Sequence, residues 1–398
     1  MRVADVAVRE TFDSRGESTI EVSIQDGNGA ISSAQIPSGK SRGGKEAVVL
    51  PYARARIAGK VIRHAVSGKR YASIREFDRA LLRLDSTPRK QKLGGNVMLG
   101  VSVAFARGLA AAANKEIWRI LEQEFFSKKA RVALPVVFSN VINGGAHASN
   151  NLDIQEYLVL VRMRKPLAAS VKTIIRFYEA LGGTLKRKYR MTQLPVGDED
   201  GYSLDFKNNF EPLDILSALI RRLHLQKDFS LGLDAAASNF YRSSRYRFER
   251  ARLTTDGLLN VYRKYFRDAK LLFSLEDPFE EEDHAGFLKV SAAFPEKLIV
   301  GDDLTVTDHE RIAHYAQGCV INSVIIKPNQ VGTVSGTCQA IRAAQTHKVA
   351  CIISHRSGET GDNFIIHLAR ASRAYGVKIG APVNERVPKF DELIRIYE

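Results

Sequence analysis

A repeating alternation of short apolar runs with polar residues constrains this chain more than any other feature. L-L-F-S-L-E-D-P at 271–278 and K-L-I-V-G-D-D-L at 297–304 each carry four or five apolar residues and end in acids. An apolar run of that length reads as a strand buried on both faces, which is normal for a parallel sheet covered by helices. The pattern recurs in F-S-L-G-L-D ending at Asp234, S-V-I-I-K at Lys327, A-C-I-I-S-H at His355 and Y-G-V-K-I-G-A-P, which carries Lys378. The intervals from Glu276 to Asp302, Lys327, His355 and Lys378 are 26, 25, 28 and 23 residues, and only the 42 from Asp234 to Glu276 is long. Each of the shorter ones accommodates a strand, a helix and two turns. A βα unit repeated with a polar residue at each strand's carboxyl end is the arrangement of a (β/α) barrel, whose strand ends converge on one mouth and build an active site. Spacing alone leaves open a doubly wound sheet whose strand-end acids are merely solvated.

The remaining segments follow from local signals. Residues 1–33 alternate apolar and polar positions, punctuated by D-S-R-G and D-G-N-G, and predict an antiparallel meander. I-P-S-G-K-S-R-G-G-K-E-A then reads as a mobile loop over 37–45, and helical periodicity runs from about Glu46 to Glu124 with breaks at S-G-K-R and L-D-S-T-P. The spacing predicts a strand from Leu134, a helix over Leu167–Tyr189 and a loop from Pro195 to Gly201. At 398 residues two domains are expected, with a small α+β domain over 1–131 and a barrel over 132–398.

Composition narrows the functional classes. No run reads as a membrane span and the N-terminus has no apolar signal core, so a cytoplasmic protein is expected. Three cysteines without a C-x-x-C pair read as buried thiols in a reducing compartment. The net charge of +15 favours anionic ligands in general. Its basic residues, in stretches such as R-A-R-I-A-G-K-V-I-R-H and R-Y-R-F-E-R-A-R, read as solvated helix faces, and specific nucleic-acid binding is not expected.

Several motifs occur in one family's order: D-S-R-G, N-V-I-N-G-G-A-H-A-S-N-N-L-D-I-Q-E-Y, G-D-E, L-D-A-A-A-S-N-F-Y, L-E-D-P-F-E-E-E-D, G-D-D-L-T-V-T, I-K-P-N-Q-V-G-T and S-H-R-S-G-E-T-G-D. In these the chain resembles the enolases, glycolytic lyases that dehydrate 2-phosphoglycerate to phosphoenolpyruvate. The resemblance covers nearly the whole chain. It implies an α/β fold, with a small N-terminal α+β domain followed by an eight-stranded mixed (β/α) barrel. Asp234, Glu276 and Asp302 match the family's magnesium ligands, and their all-oxygen donor set suits Mg²⁺. Lys327 matches the base that removes the C2 proton, for which a lowered pKa is expected. Glu199 matches the acid that assists the leaving hydroxyl, and Glu156 its partner, so that the two carboxylates share a proton and one remains protonated as a general acid must be. Arg356 and Ser357 match phosphate contacts, His147, Gln155 and His355 other pocket residues, and Lys378 the lysine that meets the substrate carboxylate. Ser41 matches a loop serine that helps hold a second Mg²⁺ once substrate is bound. The partners implied are a phosphorylated carboxylate substrate and a second copy of the chain, as a homodimer or a higher assembly of dimers.

The chain departs from the family at particular positions. Lys40 and Arg42 flank Ser41 where the family loop reads S-G-A-S-T-G, Asp200 replaces a glycine beside Glu199, and Asn239, Pro328 and Gly361 also differ. Two other readings follow: a paralogue that dehydrates a different acid, or a basic protein that uses the fold to bind nucleic acid or surface ligands. Retention of the acids, Lys327, Arg356, Ser357 and Lys378 favours the enolase reaction.

Overall fold

The computed structural model describes residues 1–39, 44–126 and 133–398. The chain opens with three strands, β1 (Val3–Phe12), β2 (Ser18–Asp26) and β3 (Ile31–Ile36), paired as the antiparallel meander that the alternation predicts. Asp13 shapes the first turn, its carboxylate accepting from the backbone N–H groups of Arg15 (2.9 Å) and Glu17 (3.0 Å). Four helices follow: α1 (Tyr52–Val66), α2 (Ile74–Leu84), α3 (Gly95–Ala112) and α4 (Ile117–Phe125). Helix begins at Tyr52, not Glu46, because Pro51 holds an extended conformation and disfavours helix at the residue before it. α3 corrects the membrane expectation in part, since its 18 residues are long and apolar enough to span a bilayer. Most of that helix is buried within the protein, against β2 and β3 on one side and α2 on another, which makes it a core helix.

The second part is a closed barrel. Its chain order is β4 (Val136–Asn143), β5 (Glu156–Arg162), α5 (Leu167–Tyr189), α6 (Glu211–Arg222), β6 (Phe229–Asp234), then a small antiparallel sheet of β7 (Tyr241–Arg242), β8 (Arg245–Phe248) and β9 (Ala251–Leu253). Then come α7 (Thr255–Asp268), β10 (Leu272–Glu276), α8 (His284–Ala293), β11 (Leu298–Gly301), α9 (His309–Gln317), β12 (Ser323–Ile326), α10 (Pro328–Val331), α11 (Val334–Thr346), β13 (Ala350–Ser354), α12 (Phe364–Ser372), β14 (Gly376–Ile379) and α13 (Val387–Tyr397). Strands β4, β5, β6 and β10 to β14 pair in sequence and β14 closes onto β4 through Gly376↔Val136 to Ile379↔Ser139. Closure leaves no sheet edge and rules out the open-sheet alternative. β5 runs antiparallel to β4 and β6 and the other pairs are parallel, so the barrel is mixed. The small sheet and α7 account for the long interval between Asp234 and Glu276.

The lumen is packed below its mouth by Phe138, Leu158, Leu160, Val300, Ile325 and Ile352, a cluster separate from the layer between strands and helices. Two compositional expectations need correction. R-Y-R-F-E-R-A-R is not a helix face but β8 and β9, in which buried Tyr246 and Phe248 alternate with exposed Arg245 and Arg247. All three cysteines are free, but only Cys338 and Cys351 are buried; Cys319 is exposed in the left-handed turn that ends α9. The boundary expected between residues 131 and 132 lies outside the described residues.

Candidate active site

Strand register builds the floor of the site. Glu156 pairs with Asp234 and Asp234 with Glu276, so three acids on three adjacent strands face the lumen at one level, just above its apolar plug. Lys378 joins them from β14. Its Nζ lies 3.0 Å from Glu156, 3.2 Å from Asp234 and 2.9 Å from Glu276. Burial alone would push this ammonium towards neutrality, but Glu156, Glu276 and Asp234 outweigh it and hold the lysine well above its ordinary range.

Asp302 and Lys327 lie just past β11 and β12 and form an ion pair. Here the electrostatics differ from the expected lowered pKa of Lys327. Burial works in that direction, yet the adjacent Asp302 carboxylate outweighs it and the ammonium stays protonated at neutral pH. Burial raises the Asp302 carboxyl in turn, and Lys327 and Lys378 bring it below its ordinary value. The three acids expected to hold one ion are therefore divided, with Asp234 and Glu276 on Lys378 and Asp302 on Lys327. Asp302 is also close to Asp277 and Asp303, whose ligand oxygens lie with its own within 4.8 Å of one another. Asp277 adopts a positive φ of 38°, and its carboxylate accepts from the backbone N–H groups of Asp302 (3.0 Å) and Asp303 (2.7 Å). Burial and the charge of Asp302 push the Asp303 carboxyl up to about 7.

A second group hangs over the β4 side. Glu199, in the loop after α5, accepts from Asn140 Nδ2 at 3.0 Å and lies 3.4 Å from His355 Nε2 and 3.7 Å from His147 Nδ1. His147 is also 3.6 Å from Glu156. Burial and then Glu199 drive Glu156 well above the carboxylate range. Burial acts the same way on Glu199, but His355, His147 and Lys378 more than offset it and hold that carboxyl well below the range. Burial lowers both imidazoles as well. The two carboxyls are thus driven in opposite directions, Glu156 up and Glu199 down.

Arg356 forms the third wall. Its Nη1 donates to Glu46 (3.1 Å) and Asn329 (3.1 Å), and its buried guanidinium abuts the Gly39 backbone. Ser38 and Gly358 exchange backbone hydrogen bonds of 2.8 and 2.9 Å, which fix the N-terminal part beside Ser357. Gln155 accepts from Asn239 at 3.1 Å.

One cavity is lined by His147, Gln155, Glu156, Glu199, Asp234, Asp302, Lys327, His355, Arg356, Ser357 and Lys378, together with Asp277 and Asp303. Glu276 lies beneath it, reached through Lys378. Ser41, with Lys40 and Arg42, lies outside the described residues. Sequence reasoning missed Asp277, Asp303, Asn140 and Glu46. The first two are the second acids of E-D-P and G-D-D-L, and Asn140 is a polar residue inside the run V-V-F-S-N-V-I; each signal was present. Of the departures, Pro328 occupies the first turn of α10, where its missing N–H costs nothing, while nothing in the structure explains Gly361.

Carboxylates outnumber the cations in this cavity, and the Oδ1 atom of Asp302 is buried without a hydrogen-bond partner among the described residues. Such a hard oxygen-donor set suits a divalent cation. Residues 3–121 match the family model described as "Enolase, N-terminal domain", and residues 131–398 match "Enolase, C-terminal TIM barrel domain". Among curated proteins the chain is similar to the enolase of Methanopyrus kandleri, with 37% identity across 100% of this chain and 96% of the relative. It is also similar to the enolase of Acidothermus cellulolyticus (38%; 99% and 93%) and that of Methanocaldococcus jannaschii (36%; 99% and 94%).

Proposed function

Because the chain belongs to the enolase family, we propose that it dehydrates 2-phosphoglycerate to phosphoenolpyruvate in the cavity at the barrel mouth. The observation that carries this reading is that a buried lysine, two buried carboxylates, Glu156 and Glu199, and an arginine line one cavity with a set of strand-end acids. Lys327 takes the C2 proton and Glu199 delivers a proton to the departing C3 hydroxyl, drawing on the proton held by Glu156. The guanidinium of Arg356 and the hydroxyl of Ser357 receive the phosphate, and Lys378 turns from the acids to the substrate carboxylate. His147, Gln155 and His355 complete the walls that exclude water.

Asp234, Glu276 and Asp302 would hold Mg²⁺, and Ser41 is assigned to a second ion taken up with substrate. When bound, the cation supplies positive charge that makes a proton beside a carboxylate acidic and offsets the Asp302 charge that otherwise keeps Lys327 protonated. Three free cysteines fit a reducing compartment, and we place the protein in the cytosol.

Absorbance of the enol phosphate product tests the reading directly. The full chain should turn over 2-phosphoglycerate with Mg²⁺, lose activity in EDTA and regain it on adding Mg²⁺. Asp302→Ala should be inert with an unchanged circular dichroism spectrum. Full turnover in EDTA would remove the metal assignment, and no turnover of 2-phosphoglycerate at any Mg²⁺ concentration would remove the reaction itself.

A further inference from the structure

Asp200 occupies a backbone position that few side chains tolerate, with φ at +60° immediately after Glu199. What offsets that strain is a set of contacts to its carboxylate. Arg386 Nη1 donates to Oδ2 at 2.6 Å and Asn384 Nδ2 to Oδ1 at 2.9 Å, both from the turn that leads into α13. Arg386 is fully buried, and Asp200 is the carboxylate with which it forms an ion pair among the described residues. A buried guanidinium without a counter-charge is costly, so each member of the pair holds the other in place. The second arm of Arg386 donates to the backbone oxygens of Asp198 and Ser357, each at 3.2 Å. Its side chain passes so close to Gly380 that a Cβ there would overlap it, and the N–H of Ala381 donates to the Glu199 carbonyl at 3.2 Å. One guanidinium thus joins the loop bearing Glu199, the loop bearing Arg356 and Ser357, and the end of β14 that bears Lys378.

We propose that Asp200 and Arg386 form a latch that positions Glu199 against the departing hydroxyl, so that Asp200 is a positioning residue for the acid step. The inference rests on the reading of Glu199 as the acid. The latch acts on that loop and leaves Lys327, on the far side of the cavity past β12, where it is.

The test separates the two proton transfers. In Asp200→Gly the backbone strain is relieved but the latch is open. Formation of phosphoenolpyruvate should then fall about 10- to 100-fold in kcat, the loss expected when a catalytic group is displaced by an ångström or less. At saturating substrate, entry of solvent deuterium at C2 of 2-phosphoglycerate should continue at the unsubstituted rate. Asp200→Asn keeps an oxygen for Arg386 and tolerates the left-handed backbone but removes the counter-charge, so its kcat should fall between those of the unsubstituted chain and Asp200→Gly; if the glycine variant does not fold, Asp200→Asn compared with Asp200→Ala carries the same test. Exchange and elimination falling together would show a merely structural role and overturn the proposal. No change in either, while Glu199→Gln abolishes elimination, would overturn the latch and leave the acid assignment standing. Full elimination by Glu199→Gln would overturn the acid assignment and the latch with it.

Discussion

At Gly39 the backbone of the N-terminal part passes Arg356 so closely that any side chain would overlap the guanidinium. The same arginine is anchored by Glu46 and Asn329, so it cannot yield without leaving the place proposed for its phosphate contact. Gly39→Ala should therefore lower kcat/KM by about 10²-fold through misplacement of this group, with near-ultraviolet circular dichroism unchanged, as steady-state kinetics will show. The residues of this site differ in how far the sequence discloses them. Asp234, Glu276 and Lys378 are legible because each ends or interrupts an apolar run, and a polar group at that place in a barrel strand points into the mouth. Glu46 is not, because its partner Arg356 is 310 positions away and no local pattern records the pairing. The upward shifts of Glu156 and Lys327 were not legible locally, because their direction depends on which carboxylates burial leaves beside them.

Among the elements, α2 and α11 are joined by one buried acid. Asp78 of α2 accepts from the Ser102 hydroxyl of α3 at 2.6 Å and from the backbone N–H of Ser335, in the first turn of α11, at 2.8 Å. A negative charge suits a helix start, but burial prevails and pushes the Asp78 carboxyl up to about 6. An unfolded aspartate titrates near 3.9, so between about pH 4 and pH 6 the unfolded chain has released a proton that the native state retains. Stability from this group therefore falls as pH rises through that window, by about 2–3 kcal/mol. Urea unfolding of the protein and of Asp78→Asn at pH 4 and pH 6 should show the extra fall in the former and not in the latter. Element type was otherwise read well where periodicity was long, as in α5, and misread in β8 and β9, where a few residues alternating Arg with Tyr and Phe fit two templates equally.

For the whole molecule, the site exists only where its two parts meet. The first turn and the segment after β3 reach the loop at 357–359 through Ser14 and Ser38, and Arg107 of α3 forks onto Asp362 with contacts of 2.7 and 2.9 Å. The barrel could be read from the repeat of its strands, whereas this docking depends on contacts between distant segments that follow from the closed fold. Lys327 past β12 and Glu199 over β4 line one cavity, and the proposed reaction requires them to act in turn. Solvent-deuterium entry at C2 of 2-phosphoglycerate, measured with Mg²⁺ alongside product formation, tests that claim most directly. Glu199→Gln should continue to exchange the C2 proton while phosphoenolpyruvate formation falls about 10²–10⁴-fold, and Lys327→Ala should lose both. Rapid exchange by Lys327→Ala, or loss of exchange in a folded, substrate-binding Glu199→Gln, would contradict it.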